Sequence, residues 1–271
     1  MVRSLWTAAT GMIAQQTNVD TIANNLANVN TTGYKAEVAE FKSLLYQTMQ
    51  TKTTTANGEN KPVGAQVGLG VRNSAITSIF KQGSMLASES PTAFAITGEG
   101  FFALQGQDGE TYYTRNGNFL FTTSQNGMML ANSDGLPVLD TAGRPITLGT
   151  QYVASKIKVN ANGELTYPDE QNNPQPIGIQ IGLFQFTNPS GLEKVDSTMY
   201  QASAASGAAI NEANNNNVRK SEVIQGYLEG SSVQVADEMV NLIVAQRAYE
   251  MNSKAITTTD EMLQQANQLK R

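Results

Sequence analysis

Apolar positions recur every seven residues at the start of the chain. Leu5, Met12, Val19 and Leu26 form one row, and Ala8, Gln15, Ile22 and Val29 follow three residues behind. This spacing predicts a helix packed lengthwise against other helices. The opposite face carries Thr7, Thr10, Thr17, Asn18, Thr21, Asn24, Asn25 and Asn28, and Asp20 is the only charge between Leu5 and Val29. A helix face that meets water usually bears Glu, Lys and Arg. Neutral amides and hydroxyls bury at modest cost because they can satisfy one another, so this face is expected to be covered. Ser4 is the expected N-cap, and Gly33 the residue after the C-cap.

A second heptad pattern closes the chain, from about Val233 to Leu269. Val244, Met251 and Thr258 lie at steps of seven, as do Ala248, Ala255, Met262 and Leu269. Asp237 and Glu238 at its start and Lys270 and Arg271 at its end suit the helix dipole, and Glu250 is placed to pair with Lys254. A shorter amphipathic piece at helical spacing runs from Ala36 to Met49, with Val38, Phe41, Leu44, Leu45 and Thr48 on one side. Residues 50–66 turn polar and Thr-rich. From Val71 to Met199 the signals are strand and turn, with Asp108-Gly109, Asn116-Gly117, Asn126-Gly127, Asp134-Gly135 and Asn162-Gly163 separating short apolar runs. Small and polar residues from Ala202 to Asn217 read as a return linker. The expected fold class is α+β, with long N- and C-terminal helices forming a coiled-coil layer and an inserted antiparallel β domain. The domain reading is nested. Residues 1–35 and 231–271 form the helical assembly domain and 71–199 the β domain. The connectors are 36–70 and 200–230, with a polar insert near 47–66.

Composition narrows the chemistry. The 271 residues carry a net charge of −5 with no Cys and no His. Nothing basic points to nucleic acid. Thiolate sites, disulfides and the commonest general base and metal ligand are missing. No apolar run approaches the length of a membrane span, and Thr7, Thr10, Gln15 and Gln16 interrupt any signal-peptide core after Arg3. Gly98-Glu99-Gly100 superficially suits a phosphate loop, but Phe101-Phe102-Ala103-Leu104 continues as strand, so a tight turn is the better reading. Ser78-Ile79-Phe80-Lys81 fits the Ser-x-x-Lys pattern of penicillin-recognising enzymes without that class's companion motifs. Asp134, Asp140, Asp169 and Glu170 fall in turn contexts, where solvated loop carboxylates are the ordinary outcome. No catalytic residue, cofactor or metal site is expected.

Two sets of motifs carry a family resemblance. Ser4-Leu5-Trp6, Thr10-Gly11-Met12, Ala14-Gln15-Gln16, Ile22-Ala23-Asn24-Asn25-Leu26-Ala27-Asn28 and Thr32-Gly33-Tyr34-Lys35 resemble the N-terminal signature of bacterial flagellar rod and hook proteins. Gly226-Tyr227-Leu228-Glu229-Gly230, Val235 through Val240, and Gln246-Arg247-Ala248-Tyr249-Glu250 resemble its C-terminal signature. The resemblance implies a structural, self-assembling subunit of a helical homo-polymer. Its partners would be other flagellar axial proteins (proximal rod and hook), the surrounding ring and the flagellar export apparatus. The implied location is the basal body, spanning the periplasm, reached without a cleavable signal peptide. The expected assembly residues are Leu5, Met12, Val19, Ile22, Asn24, Asn25, Leu26, Asn28, Val244, Met251, Ala255, Met262 and Leu269. Within the family, the insert containing Gln47, Thr54, Asn57, Gly58 and Pro62 resembles the stretch that distinguishes distal rod from hook subunits and stiffens the shaft. Two other readings stand against this one: a proximal rod or hook subunit, and a secreted β-domain hydrolase dimerised by its terminal helices.

Overall fold

A computed structural model describes residues 2–50, 64–124, 127–169, 171, 173–215 and 218–269. Two long helices, α1 (Val2–Ala27) and α2 (Val235–Gln268), flank an inserted antiparallel β-rich region. The chain divides into two compact units. Met1–Ala27, Glu37–Thr77 and Gln234–Arg271 make up one, and Asn28–Ala36 with Ser78–Val233 the other.

In the first unit, α1 begins before Ser4, which sits inside the first turn, and ends at Ala27, short of Gly33. The early stop has a local cause. The Thr31 amide and hydroxyl both bond back to Asn28, at 3.2 Å to its carbonyl and 3.1 Å to its side-chain oxygen. Such side-chain turns compete with helix propagation. The amphipathic piece after it is not helical. It forms strands β1 (Glu37–Ser43) and β2 (Tyr46–Gln50), followed by β3 (Ala65–Gly68) and β4 (Val71–Ser78). β1 pairs with β4, and β2 pairs antiparallel with β3, Gln47 opposite Val67. The Asn25 side chain imitates a ladder peptide for β1: its amide donates to the Glu37 carbonyl, and its oxygen accepts the Glu37 N–H, each at 2.8 Å. This clamp and the partner strands overrule the helical spacing of Val38, Phe41 and Leu45. Thr54, Asn57, Gly58 and Pro62 lie outside the described residues.

In the second unit, the run Phe101-Phe102-Ala103-Leu104 is fully buried because its strand is central in a six-stranded antiparallel sheet. Successive side chains point to opposite faces of a strand. Phe102 and Leu104 accordingly enter the main core with Phe94, Ile96, Phe119 and Val138, while Phe101 and Ala103 enter a smaller one with Tyr113, Phe186 and Tyr200. Phe80, from the Ser-x-x-Lys segment, packs edge-on against Phe101 at 5.3 Å and Tyr200 at 5.1 Å. Ser78 ends β4 rather than starting a helix, so this segment is a packing element. The returning chain joins early strands: Tyr227–Glu229 pairs with Met85–Ala87, and Glu222–Gln225 with Phe94–Thr97.

Two further readings change. Asp140 is buried rather than solvated: it accepts the Ala142 and Arg144 amides at 2.8 Å and pairs with the Arg144 guanidinium at 3.0 Å. Glu250 pairs with Arg247 at 2.8 Å on the surface of α2 instead of with Lys254.

Phe102→Ala is expected to destabilise the β unit by about 3–5 kcal/mol. Leu45→Ala removes a side chain that is 84% exposed and is expected to change stability by less than about 0.5 kcal/mol. Urea denaturation followed by tyrosine fluorescence distinguishes the two, and equal effects would place Phe102 outside the core.

Candidate assembly surface

The helix pair is built from small residues. The methyl group of an alanine at Gly11 would sit 2.8 Å from the Asn252 amide nitrogen, so glycine lets α1 approach α2 closely there. Asn25 donates to the Glu238 carboxylate at 3.1 Å. As the α1 position falls from 25 to 11, the α2 position rises from 238 to 252, which makes the helices antiparallel. Extending that register to Val2 reaches about residue 261, so α2 overruns the start of α1 by roughly two turns at 3.6 residues per turn.

The buried positions are Ala8, Ala14, Thr21, Ile22 and Asn25 on α1, and Ala245 and Thr259 on α2. Most of these are small or neutral polar. The hydroxyls are satisfied before they are buried: Thr21 donates to the Thr17 carbonyl at 2.9 Å, and Thr259 to that of Ala255 at 2.7 Å. Thr10 sits closer to β4, accepting the Val71 amide at 3.4 Å. The uncharged face of α1 is thus engaged by segments of its own chain. Asn25 holds β1 and α2 together, Asn28 turns the chain after the helix, and the exposed Asn24 donates to Glu37 at 3.1 Å.

The larger apolar side chains are arranged differently. Leu5, Met12, Val19 and Leu26 are half-buried. On α2, Val240, Val244, Met251, Ala255 and Met262 are exposed, Met251 to 67%, and Leu269 beyond the last turn is 87% exposed. At about 100° per residue, these six fall within roughly 60° of arc. Ala245, Asn252 and Thr259 lie about 100° round the helix from them. Met251, Lys254, Ala255, Thr258, Thr259 and Met262 line a shallow groove of about 420 Å³. Trp6 and Ile13 are 68% and 66% exposed on α1. The pair therefore spends its small polar faces on itself and leaves an apolar stripe uncovered. The stripe draws on both C-terminal heptad rows, Val244 and Met251 from one and Ala255, Met262 and Leu269 from the other. The role of Gly11 and Asn252 as the close-approach point was not foreseen, although a glycine inside a helix was its available signal.

Among the described residues, no three metal-ligating side chains gather into a site, and no helix is long and apolar enough to cross a membrane. Gly98-Glu99-Gly100 connects two strands, and the Gly100 amide donates to Ser221 at 2.9 Å.

The chain matches three family profiles: "Flagella basal body rod protein" over residues 5–35, "Flagellar hook protein FlgE/F/G D1 domain" over 95–167, and "Flagellar basal body rod FlgEFG protein C-terminal" over 224–269. It is 44% identical to the flagellar basal-body rod protein FlgG of Borreliella burgdorferi over the full length of both chains. Identity to the FlgG of Caulobacter vibrioides is 40%, covering 99% of this chain and 100% of the relative. The flagellar hook-basal body complex protein FlhP of Bacillus subtilis is 31% identical over 97% of each chain.

Burial raises the Glu238 carboxyl above its ordinary value, the neighbouring Asp237 charge adds to this, and the Asn25 hydrogen bond opposes it. The folded state therefore binds this proton more readily than the unfolded state. The stabilisation is present below the ordinary glutamate value and is lost as pH rises through the folded one. Helix-pair melting followed by circular dichroism should occur at higher temperature near pH 5 than at pH 7. Glu238→Gln keeps the acceptor for Asn25 and should flatten that difference; an unchanged pH response in the variant would remove Glu238 as its source.

Proposed function

The chain belongs to the flagellar basal-body rod protein family and is a structural subunit of the distal rod, and we propose that it acts mechanically, as the repeating block of a hollow helical shaft that transmits torque. It resides in the flagellar basal body and assembles with other axial flagellar proteins. The finer reading is a homo-polymer spanning the periplasm, with proximal rod and hook at its two ends and the ring around it. The subunit reaches its place through the flagellar export apparatus, without a cleavable signal peptide.

The observation that carries this reading is the apolar stripe left exposed after α1 and α2 have paired. A lone helix pair in water would bear charged side chains along such a stripe. Covering Val240, Val244, Met251, Ala255 and Met262 with the helices of neighbouring copies gives a coiled-coil layer. A face of one copy that meets a different face of the next generates an open helix rather than a closed ring. In domain terms, residues 1–35 and 231–271 form the assembly layer, 71–199 the β domain, and 36–70 and 200–230 the connectors. The polar insert near 47–66, whose start at Gln47 lies in β2, stiffens the shaft.

Met251→Asp tests the stripe without touching the buried faces of the helix pair. An unpaired carboxylate in an apolar contact costs about 3 kcal/mol, which raises the critical concentration for polymer on the order of a hundredfold. Sedimentation and electron microscopy should find monomer where the parent forms filaments, with β-unit melting unchanged. Filaments of parental length and yield from the variant would mean that the stripe faces solvent in the polymer.

A further inference from the structure

The second unit contains a buried cluster that neither the assembly surface nor the apolar core accounts for. Lys35 and Glu229 are completely and almost completely buried, and their charged atoms lie 2.6 Å apart. The Lys35 ammonium also donates to the Lys81 carbonyl at 2.8 Å, and the Gly83 amide donates to the same Glu229 oxygen at 2.9 Å. Arg115 is 2% exposed and approaches the other Glu229 oxygen only to 3.4 Å. Its second terminal nitrogen donates to the Gly98 carbonyl at 2.7 Å, and its guanidinium lies 5.1 Å from the centre of the Phe101 ring. Its Nε is buried with no hydrogen-bond partner among the described residues.

Two cations thus share one carboxylate. Lys35 holds the short contact, and Arg115 stands off with a donor unused, although an arginine next to a carboxylate ordinarily makes two parallel bonds. Lys35 is the next-to-last residue of the segment Asn28–Ala36, which belongs to the second unit as a strap. The strap is held by further bonds as well, among them the Ile79 amide to the Ala36 carbonyl at 2.8 Å, and Tyr34 within it is fully buried. The Gly33 amide donates to the Glu229 carbonyl at 2.8 Å, the Ser232 amide to the Tyr34 carbonyl at 3.1 Å, and the Ala36 amide to the Ser232 hydroxyl at 2.9 Å. Thr32 adds a bond to Asn116 at 2.9 Å, and Lys194 lies 4.7 Å from the Tyr34 ring centre.

We propose that Lys35 and Arg115 compete for Glu229, and that this competition makes the strap a releasable latch: when Lys35 withdraws, Arg115 closes on the carboxylate and the β unit stays folded. The two ends of the exchange differ in charge. Withdrawal of Lys35 leaves one cation with one anion, whereas loss of Glu229 leaves two buried cations with none beside them. Lys35 is pulled below the ordinary lysine range, by burial first, with the nearby positive Arg115 adding to this and Glu229 opposing it. Arg115 would remain supported by the fields of Glu212 and Glu99 at longer range. The strap continues directly from α1, so its release frees the chain that leads into the N-terminal helix without dismantling the β core.

The test uses the full chain carrying Lys35→Met or Glu229→Gln. In Lys35→Met, amide hydrogen exchange at Gly33 and Ser232 should quicken by about tenfold or more, while exchange at Leu104 and Val138 stays at parental rates. The Arg115 Nε–H, followed by nitrogen-15 NMR, should exchange more slowly than in the parent as it gains a partner. Glu229→Gln should lower the urea midpoint of the β unit far below that of Lys35→Met, or prevent folding. Equal midpoints for the two variants would overturn the proposal. So would unchanged strap exchange in Lys35→Met, or an Arg115 Nε–H that exchanges as fast as before.

Discussion

One carboxylate closes the chain on itself. Glu229 accepts Lys35, Arg115 and the Gly83 amide through its side chain and the Gly33 amide through its backbone, all inside the second unit. Lys35 and Glu229 are 194 residues apart in sequence. Joining ends that far apart costs about 5 kcal/mol of loop entropy in addition to a constant. No single buried ion pair offsets that, because desolvation cancels much of its attraction. The pair can form only once the sheets between its partners have already brought them together. It is therefore a closing contact rather than a nucleus, and it seals the nested order of strap, β region and returning strand. Gly33 shows how tightly the closure is made. Its φ of 72° is open to glycine, and an added methyl would lie 2.5 Å from the Asn116 amide nitrogen.

The same division between polar and apolar contacts organises the terminal helices. Where α1 meets its own chain, the contacts are Gly11, Ala8, Ala14, Thr21 and Asn25, groups that permit close approach or make directed bonds. Asn25 ties both β1 and α2 to α1, because its amide presents a donor and an acceptor in the geometry of a peptide group. Part of the uncharged face of α1, Asn24, Asn25 and Asn28 among it, is engaged in this way. The apolar row of α2 with Val240, Val244, Met251 and Met262 is not buried by the intrachain pairing and remains outside.

Much of the fold could be read from periodicity and turn chemistry, since both are local. The two helices, the inserted antiparallel strands and the turn at Gly98-Glu99-Gly100 all follow from residues within a few positions of one another. The segment from Ala36 to Met49 was misread for the opposite reason. Its helical spacing is real, but Asn25, β3 and β4 supply hydrogen-bond partners that no window of sequence contains. Asp140 was misjudged similarly, because a turn carboxylate looks solvated until the chain is known to wrap over it. The Lys35–Glu229–Arg115 cluster left only an indirect trace. Lys35 and Glu229 both stand inside the family motifs, yet nothing local distinguishes a buried partner from a surface charge. For the candidate assembly surface, the sequence identified the apolar rows, while the choice of which rows pair within the chain depended on the small residues opposite them.

On the proposed reading, this partition has a mechanical logic. Directed hydrogen bonds resist sliding because they are lost within a few tenths of an ångström, so they suit the fixed geometry inside one subunit. Apolar burial is non-directional and scales with area, so a stripe such as Val244, Met251, Ala255 and Met262 can seat against a neighbour over a range of small offsets. A shaft built from one subunit type needs both properties. Each block must keep its shape under load, and its contacts with different neighbours must tolerate the small non-equivalences of a helical lattice. Placing asparagine and threonine against the subunit's own chain, and methionine and valine toward other copies, meets the two demands on separate faces of the same pair of helices.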